Sequence, residues 1–420
     1  MRNCIIYVIL TKNEKNVILK VKKKLGMKTL SNDLDREDLK NKLIMYRADC
    51  NVPMGKNGEI LDSTRLDAIL PTIDYLIQNN CRVLLFSHLG KPDGKNMKFS
   101  LRPVMLKLKS MIKCPFFFID DCLAEIDVAE IPLGSITMFE NLRFYKGEEM
   151  NDDDFSRKLS HGVDIYVNDA FGAIHRDHAS MTGVTTYIEK CYAGFLLERE
   201  MKMFELLIDN TRKPFGAIIG GSKISTKIKM IRELMNKVDI LMIGGAMVFT
   251  FLDAFGMSVG DSRVEENQKE MVLAIEKLAR EKNVELLFPL DFMVSTSVES
   301  PDHWKIVPSP HIGNGWIGVD HGPITNRVLR EKFIDCKCIF WNGPMGVYEN
   351  PTFSTGTNFV ANFIAERGSH GITTIVGGGD SVSVIRKYKL DHKISHISTG
   401  GGSFLQLFSD RKTRAIRMLE

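Results

Sequence analysis

Residues 215–238, FGAIIGGSKISTKIKMIRELMNKV, decide the fold. An apolar run of strand length comes first, a glycine pair follows at 220–221, and from 225 onward apolar residues recur at helical spacing, which predicts a helix over 225–238. A strand that turns on glycine straight into a helix is the repeating unit of a parallel sheet covered on both faces. The unit recurs downstream in ILMIGGAM, VELLFPLDF, CIFWNGP and ITTIVGGGD, with helices over 264–282 and 353–367. Upstream, the β-rich runs KLIMYRAD, RVLLFSHL, PFFFID, SITMFENLRF and DIYVNDAF alternate with helices over 65–80 and, capped by Ser100, 101–112. Between the two series, 194–209 (GFLLEREMKMFELLID) reads as one unbroken helix. The fold class is therefore α/β: two doubly wound, Rossmann-like parallel-sheet domains joined by a helical hinge.

A length of 420 residues suits two domains better than one core. Composition is that of an ordinary globular protein, with 44% hydrophobic and 26% charged residues and a net charge of +4 that predicts no nucleic-acid partner. The eight cysteines are scattered without disulfide or zinc spacing, which points to a reducing cytoplasm, and Cys336 and Cys338 read as core residues sharing one face of a strand. The apolar residues 4–10 are too short for a secretory signal and precede the lysines instead of following them, and no run approaches a membrane span. Residues 1–26 read as an upstream extension, because the domain start LSNDLDREDL, with Ser31 or Asp33 as helix cap, comes just afterwards. The expected division is 27–196, 197–404 and a tail, 405–420, with no membrane or nucleic-acid partner.

The two halves differ in what ends their strands. In the first, Arg47, Asp49 and Asn51 close one run; Ser87, His88 and Lys91 another; Asn141 and Arg143 a third; and Asn168, Asp169, His175 and Arg176 a fourth, while Arg65 opens a helix. Parallel sheets bind ligands at the carboxyl ends of their strands, so these groups should meet in one crevice. One such cation alone is an ordinary solvated charge; several together suit a small ligand bearing phosphate and carboxylate. In the second half the ends are glycine-rich: GGSK at 220–223, GGAM at 244–247, WNGPMG at 341–346 and GGGDS at 377–381. Glycine lets a backbone approach phosphate, and a helix beginning there aims N–H groups at it, so this half is expected to bind nucleotide. Lys223 and Lys227, four residues apart, are expected on one helix face; Asp380 is expected to hold Mg²⁺, and an N-cap role for Asp380 or Ser381 is the competing reading, compatible with the first. There is no GxxxxGK[ST] run, and no GxGxxG with a following acidic residue that would support a dinucleotide-dependent dehydrogenase.

At these residues the chain resembles phosphoglycerate kinase, from about residue 30 to 407. RADCNVP (47–53), SHLGKP (87–92), ENLRF (140–144), VNDAFGAIHRDHAS (167–180), GGSKISTKI (220–228), IGGAM (243–247), WNGPMGVYE (341–349), GGGDS (377–381) and STGGGS (398–403) match that family's motifs in order. The resemblance implies transfer of a phosphoryl group between ATP and the carboxylate of 3-phosphoglycerate by a monomer. It implies that Asp49, Cys50, Asn51, Arg65, His88, Leu89, Gly90, Lys91, Arg143, His175 and Arg176 bind 3-phosphoglycerate. It assigns Gly221, Lys223, Lys227, Gly245, Gly318, Asn342, Glu349, Gly378, Gly379, Asp380 and Ser381 to ATP or ADP with Mg²⁺, the metal on Asp380. Arg65, Lys223, Lys227 and Gly379 are implied to act on the transferred group, and the tail to return to the first domain. The chain departs from the family pattern at Cys50 for Phe, Lys91 for Arg, Ala246 for Gly and Ser381 for Thr. A carboxylate acceptor is already ionised near neutral pH, so no general base is needed, and two substrates held on two lobes require those lobes to close. The alternatives are the dehydrogenase and a binding protein of this fold without turnover.

Overall fold

The structure is a computed structural model and describes residues 26–208, 212–308 and 311–420. The expectation for residues 1–26 thus falls, except for Gly26, outside the described residues, as does Cys4. Two compact units form, one from the described part of Lys23–Lys202 with Asp410–Glu420, the other from Met203–Ser409. The chain passes from one to the other within helix Phe195–Ile208.

In the first unit, strands β1 (Leu43–Arg47), β2 (Arg82–Phe86), β3 (Phe116–Ile119), β4 (Ser135–Phe139), β5 (Ile165–Asn168) and β6 (Cys191–Ala193) make one parallel sheet in the order β3-β4-β2-β1-β5-β6. The order runs outward in both directions from β1, so a crevice opens at the carboxyl ends of β1, β2 and β5. Strand residues alternate between faces, and Ile44, Tyr46, Val83, Leu85, Ile136 and Met138 pack under Leu66, Ile69, Ile73 and Leu76 of helix Thr64–Gln78 and Val104 and Leu108 of helix Arg102–Met111. The cap position of that second helix falls on Leu101, which provides no side-chain cap, and not on Ser100, whose Oγ accepts from the Arg102 amide at 3.2 Å from one residue further out. Of the expected tail, residues 410–420 pack into the same unit, while 405–409 belong to the other: the Lys28 amide donates to the Leu419 carbonyl at 2.6 Å, and Arg414 donates to Asp177 at 2.6 Å.

The second unit repeats the scheme with β7 (Phe215–Ile219), β8 (Ile240–Ile243), β9 (Glu285–Leu287), β13 (Cys338–Asn342), β14 (Thr373–Gly377) and β15 (His396–Ile397), all parallel in the order β15-β14-β13-β7-β8-β9. A three-stranded antiparallel sheet is added by β10 (Asp291–Ser295), β11 (Trp304–Pro308) and β12 (Ile317–His321). Among the described residues no helix is long and apolar enough to cross a membrane.

Several expectations need correcting. VELLFPLDF is not one strand: it divides at Pro289 into β9 and β10, which belong to different sheets. The helix expected from 225 begins at Ile228, because Ser225 and Thr226 bind elsewhere; the Ser225 amide donates to Glu265 and the Thr226 hydroxyl to the Lys223 carbonyl. Lys223 and Lys227 therefore precede the helix and share no helical face. The helix expected from 264 begins at Lys269, after Asn267 takes a positive φ of 58°. That expected from 353 runs Thr355–Ser369, preceded by a 3₁₀ turn, Pro351–Phe353. Neither Ser31 nor Asp33 caps the first helix, Arg36–Leu39, which starts after Asp35; Ser31 donates to Glu198, and Asp33 accepts from the Thr29 amide. Cys338 opens β13 while Cys336 lies just before it, and both are buried.

Behind the first sheet's crevice, the buried carboxylate of Asp169 accepts from the Tyr46 hydroxyl (2.9 Å), the Thr72 hydroxyl (2.6 Å) and the Leu197 amide (2.9 Å). It thereby ties β1 and helix Thr64–Gln78 to the start of helix Phe195–Ile208. Burial pushes its pKa up to about 6, against the pull of those three hydrogen bonds. The folded chain then holds this proton more tightly than the unfolded chain, whose aspartate titrates near 4. The resulting stability is full below that value and is lost as pH rises through about 6. Between pH 4 and 7 the loss from this one group is about 2 kcal/mol. Denaturant titrations of wild type and Asp169→Asn should show the wild type losing that much more over this range; parallel pH profiles would mean that Asp169 is ionised throughout.

Candidate functional site

The polar ends of β1, β2, β4 and β5 converge as their topology requires. Arg65, second residue of helix Thr64–Gln78, donates to the Asn51 carbonyl at 2.7 Å and pairs with Asp49 at 3.3 Å. Asn51 in turn accepts from the Gly90 amide at 2.8 Å, and the Gly90 carbonyl accepts from Arg143 at 2.5 Å. Gly90 has φ +61°, and a Cβ there would lie 2.3 Å from the Phe99 ring, so the tight turn after His88 depends on glycine. Asn141 fixes the next loop, its side chain accepting from the amides of Leu89 and Arg143 and donating to the Leu89 carbonyl.

Arg65 has a carboxylate partner in Asp49, whereas Arg143 is anchored on the neutral Gly90 carbonyl. Arg143 Nε and NH2 and Arg176 Nε are buried without a hydrogen-bond partner; Glu149 comes no nearer to Arg143 than 3.7 Å. Burial, followed by the neighbouring charge of Arg176, pulls even the Arg143 guanidinium down to about 10. Burial and the surrounding arginines also hold His88 well below the usual histidine range and His175 at about 4, so both rings are neutral at physiological pH. The crevice is thus primed for an anion. Two of the expected residues stand differently: Cys50 is fully buried, with burial pushing its thiol up to about 12, and Lys91 is exposed.

In the second unit the strand ends meet backbone to backbone. The Gly220 amide donates to the Asn342 carbonyl and the Gly221 amide to the Pro344 carbonyl, each at 2.9 Å. Lys227 Nζ donates to the Asn342 side chain, and burial lowers its pKa to about 8 despite the opposing charge of Asp380. Gly378, with φ +89°, precedes helix Gly379–Lys387, whose first amides have no side-chain cap; a Cβ on Gly379 would meet nothing within 4 Å. That helix start is open to an anion. The Ser381 hydroxyl accepts from the Gly343 amide at 2.7 Å, and Asp380 is exposed, accepting from the Tyr348 hydroxyl at 3.1 Å. Among the described residues no group of three His, Cys, Asp or Glu side chains is arranged to hold a metal ion.

A cavity of about 310 Å³ opens beside these loops, lined by Gly221, Gly245, Gly318, Glu349 and Asp380 of the expected set. Lys227, Asn342, Gly378 and Ser381 cluster through the contacts just given, whereas Lys223 lies exposed on its turn. Sequence reasoning missed the cavity's apolar wall, Phe249 and Phe292, and Asp320 and His321 at the end of β12. It also missed Glu148 and Ser180, buried beneath the arginine cluster. A VDHG run ending a strand was the available signal for Asp320 and His321; for Glu148 there was none.

A family model described as Phosphoglycerate kinase matches residues 33–411. The chain is 44% identical over 403 residues to "Phosphoglycerate kinase 1, chloroplastic" of Arabidopsis thaliana, covering 95% of this chain and 82% of that one. It is 43% identical over 390 residues to a phosphoglycerate kinase of Thermosynechococcus vestitus, covering 92% and 98%. Among solved structures, phosphoglycerate kinase from Coxiella burnetii superposes with a TM-score of 0.84 at 35% identity, covering 94% of this chain and 99% of that one. That from Pyrococcus horikoshii superposes at 0.79 and 29% identity, covering 94% and 98%.

Proposed function

The chain belongs to the phosphoglycerate kinase family, and we propose that its two polar clusters divide the reaction between them, the arginine crevice taking 3-phosphoglycerate and the glycine loops taking ATP or ADP. The enzyme transfers a phosphoryl group reversibly between ATP and the carboxylate of 3-phosphoglycerate, giving 1,3-bisphosphoglycerate and ADP, a step of glycolysis and gluconeogenesis. The observation that carries the assignment of the acceptor is the set of partnerless buried nitrogens on Arg143 and Arg176 beside two histidines kept neutral. A ligand with a phosphate and a carboxylate supplies the missing acceptors in bidentate form.

The nucleotide's phosphates would lie along the amides of the Gly221 and Gly245 turns and at the start of helix Gly379–Lys387, with Lys227 supplying charge. The apolar wall of Phe249 and Phe292 suits the base, and Glu349 at the cavity's edge suits hydroxyls. Asp380 fits a Mg²⁺ carried by the nucleotide, since that ion is ordinarily held by one or two carboxylates together with phosphates. Bound there, Mg²⁺ would neutralise phosphate charge.

No proton has to be removed from the attacking carboxylate, so the chain's own contribution is alignment and charge stabilisation. Arg65 and Lys227, with the amide of Gly379, are assigned to the equatorial oxygens of the transferred group, and Lys223 to the phosphate chain. Reacting atoms must come within about 3.5 Å, so closure of the two units is part of the proposal, with helix Phe195–Ile208 as its hinge. Seven described cysteines carry free thiols, which supports placing the enzyme in the cytoplasm. We further assign it as a monomer.

A coupled assay should find ATP consumption strictly dependent on 3-phosphoglycerate, and Arg65→Ala should lower kcat at least about 100-fold, the usual cost of one such donor, without lowering the melting temperature. Turnover without 3-phosphoglycerate, or none at all, would leave the dehydrogenase or the binding-protein reading. Small-angle scattering should show compaction only with both substrates present; identical profiles for the free and doubly liganded enzyme would contradict closure.

A further inference from the structure

Beneath the arginine crevice lies a hydrogen-bonded relay that none of the assignments above uses. Glu148 is completely buried in the short helix Lys146–Glu149. Its Oε1 accepts from the Ser180 hydroxyl at 2.7 Å and its Oε2 from the Ser180 amide at 2.9 Å, while the Ala179 amide donates to its main-chain carbonyl at 2.9 Å. His178 Nδ1 lies 3.6 Å from Oε1. Burial would push the Glu148 carboxyl up, but the His178 contact, the charge of Arg47 and the Ser180 hydrogen bonds outweigh it and keep the group ionised.

The direction of these bonds is fixed by proton counting. Ser180 has one hydroxyl proton and gives it to Glu148, so its oxygen is left to accept, and Arg47 Nε donates to it at 2.8 Å. Arg47, 1% exposed, also donates from NH1 to the Ala48 carbonyl, and its NH2 stands 3.3 Å from His88 Nδ1. A guanidinium has donors only, so Nδ1 must accept, and in the neutral ring the proton then sits on Nε2.

We propose that Glu148 and Ser180 are positioning residues for acceptor binding: they orient Arg47 so that it locks His88 in the tautomer protonated on Nε2, leaving the ring an N–H donor for the acceptor's anionic group. The proposal rests on the assignment of this crevice to 3-phosphoglycerate. A ring left free to put its proton on Nδ1 would offer a lone pair at Nε2, which an anion repels. Glu148 also supplies the counter-charge without which a buried Arg47 would be costly to hold.

The test is a long-range ¹H–¹⁵N correlation spectrum of the ¹⁵N-histidine-labelled enzyme between pH 6 and 8. Wild-type His88 should show a protonated Nε2 and an unprotonated Nδ1. In Ser180→Ala, Arg47 Nε loses its acceptor; His88 should then show a tautomer mixture, and KM for 3-phosphoglycerate should rise about tenfold, the loss of roughly one net hydrogen bond, with KM for ATP within about a factor of two. A purely structural role would lower the melting temperature of this variant and leave tautomer and KM unmoved, which overturns the proposal. Should Ser180→Ala not fold, the wild-type spectrum alone decides, since a His88 protonated on Nδ1 or on both nitrogens also overturns it. A wild type with the expected tautomer but no 3-phosphoglycerate-dependent turnover would sink the assignment of the crevice, a failure the spectrum keeps distinct from failure of the relay.

Discussion

Cations of like sign held in one poorly hydrated crevice repel one another, and the architecture of the first unit is what keeps them together. The cost is visible in the protonation of the site: burial and mutual repulsion lower the pKa of Arg143 to about 10 and of His175 to about 4. A protein that neutralised each arginine with its own carboxylate would escape this cost and lose its use for binding anions. Here the guanidinium groups of Arg47 and Arg143 are oriented by the carbonyls of Ala48 and Gly90, Arg47 with the buried carboxylate of Glu148 behind it and Arg143 with no carboxylate among the described residues in hydrogen-bond reach. Those carbonyls stand where they do because four parallel strands end at one edge of a sheet.

In the proposed division of the reaction, the second unit meets a different demand with the same layered fold. A nucleotide spreads its charge along a chain and carries Mg²⁺, so backbone amides and a helix start can serve it at lower electrostatic cost than a guanidinium cluster. Lys227, whose pKa is lowered by burial to about 8, is steadied there by Asn342. The loops that hold these groups depend on close backbone approach. A Cβ on Gly245 would lie 2.4 Å from the Gly221 amide nitrogen, and one on Gly220 would lie 2.1 Å from the Pro344 carbonyl oxygen.

Much of this was legible in the sequence, for a physical reason. Strands covered on both faces must be apolar throughout, so β1, β2, β4, β7, β13 and β14 stood out, and the polar or glycine residues after them marked the ligand edge. Helix starts were less legible, because Ser225 and Thr226 have hydroxyls that compete with the helix for backbone partners, a choice settled by Glu265, 40 residues away. The strands β11 and β12 were invisible: β11 is largely exposed, and β12 pairs with β10 only after the chain has passed through the intervening β11. Glu148 was hidden differently. In KGEE it looks like part of a solvated helix face, and only the return of Ser180 from a distant loop buries it and gives it a partner.

The division of labour between the two clusters is the claim on which the account stands, and histidines in each make it directly observable. In a spectrum of the histidine-labelled enzyme, 3-phosphoglycerate alone should shift His88 and His175 and leave His321, which lines the cavity assigned to the nucleotide, unmoved. MgADP alone should do the reverse. If 3-phosphoglycerate moved His321 while leaving His88 and His175 in place, the arginine crevice would not be the acceptor site and the account would fail.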